Sequence, residues 1–127
     1  MKTDKKNKQP TFSQNEKIRT LTFSSVYPLY IEKIERKGRH RDELIALIEW
    51  LTGFDEYKIR EMSEQHITFE DFFKRAKLHP NVRLIQGTIC GYKVHEIENE
   101  LTRKVRYLDL IVDELARGKK LSVIMRT

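Results

Sequence analysis

The chain of 127 residues has little of what usually announces a function. Its one cysteine, Cys90, excludes an internal disulfide and fits a reducing cytosol. No apolar run approaches the ~20 residues that a membrane span needs. The start, Met1 to Gln9, is basic and polar with no apolar stretch behind it, so it is no secretory signal. The phosphate-cradling and hydrolase strings G-x-x-x-x-G-K-[ST], G-x-G-x-x-G and G-x-S-x-G are missing. His40, His66, His79 and His95 form no H-x-x-x-H pair, and zinc sites usually show close ligand pairs. No metal or cofactor is therefore expected. The three prolines and five glycines are scattered like helix punctuation.

Charge is what the chain has in excess. Lys and Arg number 25 against 19 Asp and Glu, a net +6, and 35% of residues are charged. Residues 1–19 hold six basic side chains (Lys2, Lys5, Lys6, Lys8, Lys17, Arg19) against Asp4 and Glu16, a balance of +4. The other 108 residues carry 19 basic and 17 acidic groups and are close to neutral. Met1 to about Gln14 has almost nothing to bury besides Phe12, so it cannot offset its ordering entropy. Residues 1–16 are expected to be a flexible basic arm, and residues 17–127 a single domain. Such an arm either lies on phosphates or solubilises the chain.

Apolar spacing predicts helices throughout. Val26, Leu29, Tyr30 and Ile34 share one face of a first helix over 25–37, with Ser24 and Ser25 as N-cap candidates and Pro28 in its first turn. Gly38 is a candidate C-cap behind Arg36 and Lys37. A second helix starts near Arg41. Its Leu44, Ile45, Leu47, Ile48 and Leu51 are nearly too many for one stripe, which makes it central, and Gly53 ends it. Asp55 caps a helix over 56–65, and Thr68 with Asp71 opens another over 69–77. His79-Pro80 is a break. Residues 82–92 read as a short helix leading into a glycine-containing turn, or as a strand pair about Gly87. Val94, Ile97, Leu101, Val105, Leu108, Val112 and Leu115 then give a stripe over about six turns, widened by Leu110 and Ile111. A last short helix covers Lys120 to Met125. The fold class is all-α: a compact bundle of six or seven helices with a long C-terminal helix.

Each feature that could carry chemistry has a plainer reading. Cys90 near the start of the long helix, with His95 five residues on, has the parts of an activated thiol. Free cysteines are nonetheless among the most buried residues, so packing is favoured. Glu96, Glu98 and Glu100 complement the long helix's dipole without a catalytic role. Lys33, Arg36, Lys37, Arg39, His40 and Arg41 span the first helix–turn–helix, a shape that can sit on a phosphate backbone. Glu32, Glu35, Asp42 and Glu43 interleave them and largely cancel the field.

Four ordered strings carry a resemblance. They are Phe23-Ser24-Ser25-Val26-Tyr27-Pro28-Leu29-Tyr30 with Lys33 and Lys37-Gly38-Arg39; Trp50-Leu51-Thr52-Gly53; Cys90-Gly91-Tyr92-Lys93-Val94 with Glu96-Ile97-Glu98; and Arg106-Tyr107-Leu108-Asp109 through Val112-Asp113-Glu114-Leu115-Ala116 to Gly118-Lys119. From about Lys17 to the C-terminus the chain resembles a small bacterial family of unknown function, numbered twenty-two hundred. Where the family has Glu-Asp-Pro-Leu-Met, this chain has Glu98-Asn99-Glu100-Leu101-Thr102, so the helix is expected to run on without a proline at its start. The lysine-rich head is also longer than is typical. The resemblance implies a soluble, bacterial, cytoplasmic protein and carries no catalytic assignment. It directs attention to Ser25, Tyr27, Tyr30, Lys33, Trp50, Cys90, Arg106 and Tyr107, which either line one cleft or pack and cap.

Three functions compete. The favoured one is a small cytoplasmic interaction or regulatory protein without catalysis, a homodimer through the wide stripe of its C-terminal helix. The second is nucleic-acid binding through the arm and the first helix–turn–helix, with Lys5, Lys6, Lys8, Lys37, Arg39 and Arg41 as contacts. The third is a small-ligand binder or enzyme with a cleft near Cys90. None places the chain in a membrane.

Overall fold

The computed structural model describes residues 8–127. The chain is all-α apart from one two-residue hairpin. The helices are α1 (Phe12–Thr20), α2 (Phe23–Arg36), α3 (Arg41–Thr52), α4 (Glu56–Glu64), α5 (Phe69–Arg75), α6 (Glu100–Ala116) and α7 (Leu121–Ile124). Between α5 and α6 run a 3-10 turn (Pro80–Leu84), the strands β1 (Thr88–Ile89) and β2 (Tyr92–Lys93), and a second 3-10 turn (Val94–Glu96). Among the described residues, no helix is long and apolar enough to cross a membrane.

Helix α6 is the axis of the bundle. It packs against α1, α2, α3 and α5, with α7 and β1 at its ends. Val105, Leu108, Ile111, Val112 and Leu115 are buried along its main stripe, and Tyr107 and Leu110 are buried beside it. A helix enclosed on several sides needs an apolar surface wider than one stripe. The width that suggested a partner chain is thus covered by this chain's own helices. Helix α3, expected to be central, is also deeply buried, with Leu44, Leu47, Ile48 and Leu51 fully enclosed.

Aromatic packing sets the start of α2. Phe23 stacks on Phe72 at 4.6 Å between centroids and meets Phe69 edge-on at 6.2 Å. A short backbone bridge pins the two segments together: Phe23 N–H donates to Ile67 O (3.0 Å) and Phe69 N–H to Leu21 O (2.8 Å). The helix therefore begins at Phe23, ahead of the expected 25–37. Thr22 is the N-cap residue in place of Ser24 or Ser25, and Pro28 lies inside the helix rather than in its first turn. A long-range backbone contact, invisible to local spacing, outweighs the capping preference of serine.

The expected boundary at residue 17 falls inside α1. Thr11 and Gln14 form a reciprocal capping box, with N···O distances of 2.7 and 3.1 Å, that starts the helix at Phe12. Gln9 donates to Glu96 O (2.8 Å) and accepts from Glu98 N–H (2.9 Å), and Asn15 accepts from the buried Thr102 hydroxyl (2.6 Å). Residues 9–15 are therefore tied to the approach to α6. The rest of the expected arm, residues 1–7 with Lys5 and Lys6, lies outside the described residues.

The segment before α6 departs most from expectation. The strands pair about Cys90-Gly91, with Ile89 opposite Tyr92, and not about Gly87. Cys90 and Gly91 both have positive φ (53° and 85°), the arrangement of a tight primed hairpin turn. Gly87 has another role: a Cβ there would sit 2.9 Å from Leu110 Cδ2 on α6, so the backbone can approach only because the side chain is absent. The long helix does not start at Val94. It starts at Glu100, where Asn99 accepts from Thr102 N–H (3.0 Å) as an N-cap. Asn99 thus caps the helix and Glu100 opens it, with no proline at its start. Val94 and Ile97 are buried, but in the preceding turn, and of the three glutamates only Glu100 lies in the helix's first turn.

Candidate functional site

Tyr30 on α2 and Arg106 and Asp109 on α6 meet across the seam between the two helices. The Tyr30 hydroxyl donates to Asp109 Oδ1 (2.5 Å), and Arg106 Nη1 donates to Oδ2 (2.7 Å). Positions 106 and 109 are one helical turn apart, so both side chains leave α6 on the same face. Burial, and then the Asp109 carboxylate, push the Tyr30 phenol well above its ordinary range. Burial pulls the Arg106 guanidinium down, yet the hydrogen bond and charge of Asp109 hold it above its usual value. One donor is left over: Arg106 Nε is buried without a partner.

A cavity of about 230 Å³ opens beside this cluster. Ile18 and Leu21 of the α1 side, Val26 of α2, Phe69 of α5 and Val105 of α6 make its apolar walls. Tyr30, Arg106, Asp109 and Lys17 supply the polar groups. Lys17 is exposed and forms no ion pair among the described residues. One turn along the seam, Lys33 pairs with Asp113 (3.1 Å), which also receives Arg117 (2.9 Å).

The eight residues of the expected cleft do not all converge. Tyr30 and Arg106 share the site, with Lys33 further along the same seam. Cys90 is exposed at the hairpin tip, neither packed nor at a helix start as expected. Tyr27 points to another face of α2, into a niche with Arg41, Arg60 and Ser63, where burial raises its phenol and the two arginines partly offset that. Ser25 is exposed and donates to Thr22 O (2.8 Å). Trp50 stacks on His79 at 5.1 Å, with its Nε1 buried and unpartnered, and Tyr107 is buried in the core. Lys17, Ile18, Leu21 and Asp109 were not foreseen. Asp109 was within reach, because its spacing from Arg106 is that of a helical ion pair.

The expected nucleic-acid contacts also disperse. Arg39 is engaged within the chain: it holds Glu43 through two hydrogen bonds (3.0 and 2.7 Å) and donates to the carbonyls of Leu115 and Lys119 (3.0 and 2.9 Å). It fastens the end of α6 to the start of α3. Lys37 and Arg41 are exposed, and Lys8 lies over the Tyr92 ring at 5.1 Å. The outward positions of α3 include Asp42 and Glu49, which repel phosphates. Among the described residues, no three His, Cys, Asp or Glu side chains gather as a metal ion would require.

Comparison with curated proteins returns no match. Among solved structures the chain is similar to the crystal structure of an uncharacterized protein, SP1917, at 33% identity and a TM-score of 0.81, over 87% of this chain and 92% of that one. The family model of DUF2200, described as an uncharacterized protein conserved in bacteria, matches residues 17–126. That match takes in the last four residues of α1, helices α2 to α7 and both polar clusters of the α2–α6 seam, and the chain belongs to this bacterial family.

Proposed function

We propose that the chain is a small-ligand-binding module whose site is the cavity beside Tyr30, Asp109 and Arg106. The observation that carries this is an apolar cavity whose rim gathers the side chains of Lys17, Tyr30, Arg106 and Asp109. Apolar walls with a few convergent polar groups are the usual make-up of a small-molecule site. The volume is below the ~300–1,000 Å³ of pockets for drug-sized molecules, so the ligand is small.

Binding is favoured over catalysis by the state of the polar groups. Tyr30 is held protonated, and both Asp109 oxygens already accept hydrogen bonds, so neither is a ready general base at neutral pH. A dimer through α6 and a recognition helix at α3 both lose support, since α6 is enclosed and α3 shows acidic groups outward.

A fragment screen read by amide chemical shifts tests the proposal. Hits should perturb Ile18, Phe69, Val105 and Arg106, and Val26→Phe, which narrows the cavity from a partly exposed position, should abolish them. Hits confined to other surfaces, or undiminished by Val26→Phe, would overturn it.

A further inference from the structure

We infer that the cavity takes a small amphipathic anion, a short-chain carboxylate, bound head-first between Lys17 and Arg106. This rests on the reading of the cavity as a ligand site and adds the ligand's chemistry.

On the acceptor side, Asp109 is engaged twice, by Tyr30 and by Arg106. The Tyr30 proton is directed at Asp109 as well. On the donor side, Arg106 has five N–H groups. Nη1 holds Asp109, Nε is enclosed, and Nη2 makes no hydrogen bond among the described residues. Lys17 brings three more donors and no ion pair among the described residues. Two cations against one carboxylate leave the rim net positive, with a surplus of donors. The complementary ligand head accepts hydrogen bonds and carries negative charge. A neutral acceptor would meet the donors but forgo the charge, and a cation would meet neither.

The remaining walls select the tail. Ile18, Leu21, Val26, Phe69 and Val105 offer no hydrogen bonds, so the rest of the ligand is hydrocarbon. At ~30 Å³ for each water-sized group, the cavity of about 230 Å³ holds roughly seven or eight such groups. A carboxylate with a four-carbon tail fits that volume, whereas a long fatty acid does not.

The test uses three probes of one shape: pentanoate, pentanamide and pentylamine, each titrated into the full chain and followed by amide shifts. Pentanoate should bind at the cavity residues, pentanamide about tenfold more weakly, and pentylamine not at all. Lys17→Gln, a change at an exposed side chain that keeps a donor and removes the charge, should weaken pentanoate several-fold and pentanamide by much less. If pentanamide or pentylamine binds at the cavity as well as pentanoate, the anion assignment fails while the cavity reading stands. If no probe binds there, both fail.

Discussion

Asp109 and Glu114 lie five residues apart on α6, and each holds an arginine, but on opposite terms. Glu114 is 5% exposed and grips Arg126 with both oxygens (2.6 and 3.0 Å), with Lys119 Nζ at 3.4 Å. Arg126 also donates to Ile124 O (2.6 Å), and Asn81 donates to Arg126 O (3.1 Å). That cluster is closed: it knots the C-terminus to α6 and to the turn after Pro80. Asp109 is just as fully engaged, but its arginine lines a cavity whose rim also carries Lys17, a lysine with no ion pair among the described residues. Two ion pairs of similar residues on one helix thus differ in what is left over. Spare hydrogen-bonding capacity next to empty volume, more than charge or burial alone, separates a site from a fastening.

The comparison can be broken in several ways. The largest effect should come from Arg126→Ala, which removes both guanidinium bonds and leaves the buried Glu114 with the longer Lys119 contact alone. A loss of about 3 kcal/mol is expected in denaturant unfolding, with cavity binding unchanged. A loss below about 1 kcal/mol would mean that the knot is no fastening.

Tyr30→Phe should cost less, about 1.5 kcal/mol, because it removes one hydrogen bond to a carboxylate and keeps the ring. It should also free an Asp109 oxygen and so weaken binding of an anionic probe. If binding strengthens instead, the two clusters are not distinguished by donor surplus.

Cys90→Asn should stabilise the fold slightly, by up to about 1 kcal/mol, since asparagine accepts the left-handed conformation that the primed turn needs. A melting temperature that falls would show that the cysteine makes a contact the turn requires.

The smallest effect concerns the third fastening, Arg39 with Glu43. The Arg39 hydrogen bonds hold the Glu43 carboxyl down at about 2, against an ordinary 4.5. A depressed carboxyl stabilises the fold above its unfolded value and loses that contribution as pH falls through the folded one. Stability should therefore decline between pH 4.5 and about 2, and Glu43→Gln should flatten that part of the profile. Unfolding midpoints across that range would reveal it, and an unchanged slope in the variant would place the acid sensitivity elsewhere.

Local chemistry made much of this chain legible. The glycine at 53, the caps at Asp55 and Thr68 and the crowded apolar face of α3 read correctly because each depends on residues within one or two turns. The Thr11-x-x-Gln14 box was equally local and would have placed α1, had the basic composition around it not pointed to an arm. Residues 94–97 misled for the opposite reason. Their apolar spacing continues the helical stripe, yet Asn99 caps a new helix and the buried side chains of Val94 and Ile97 belong to the turn before it.

The sequence by itself determined the helical class and several helix ends, because capping, glycine conformation and apolar period act over a few residues, and its four ordered strings carried the family resemblance. The tertiary structure alone decided that α6 packs against α1, α2, α3 and α5 of its own chain, since a wide apolar face looks the same whatever covers it. It also decided that Tyr30 meets Arg106 and Asp109 from 79 residues away while Tyr27 and Trp50 face elsewhere. A cavity and an unmet donor are properties of empty space between helices, and no run of residues carries them.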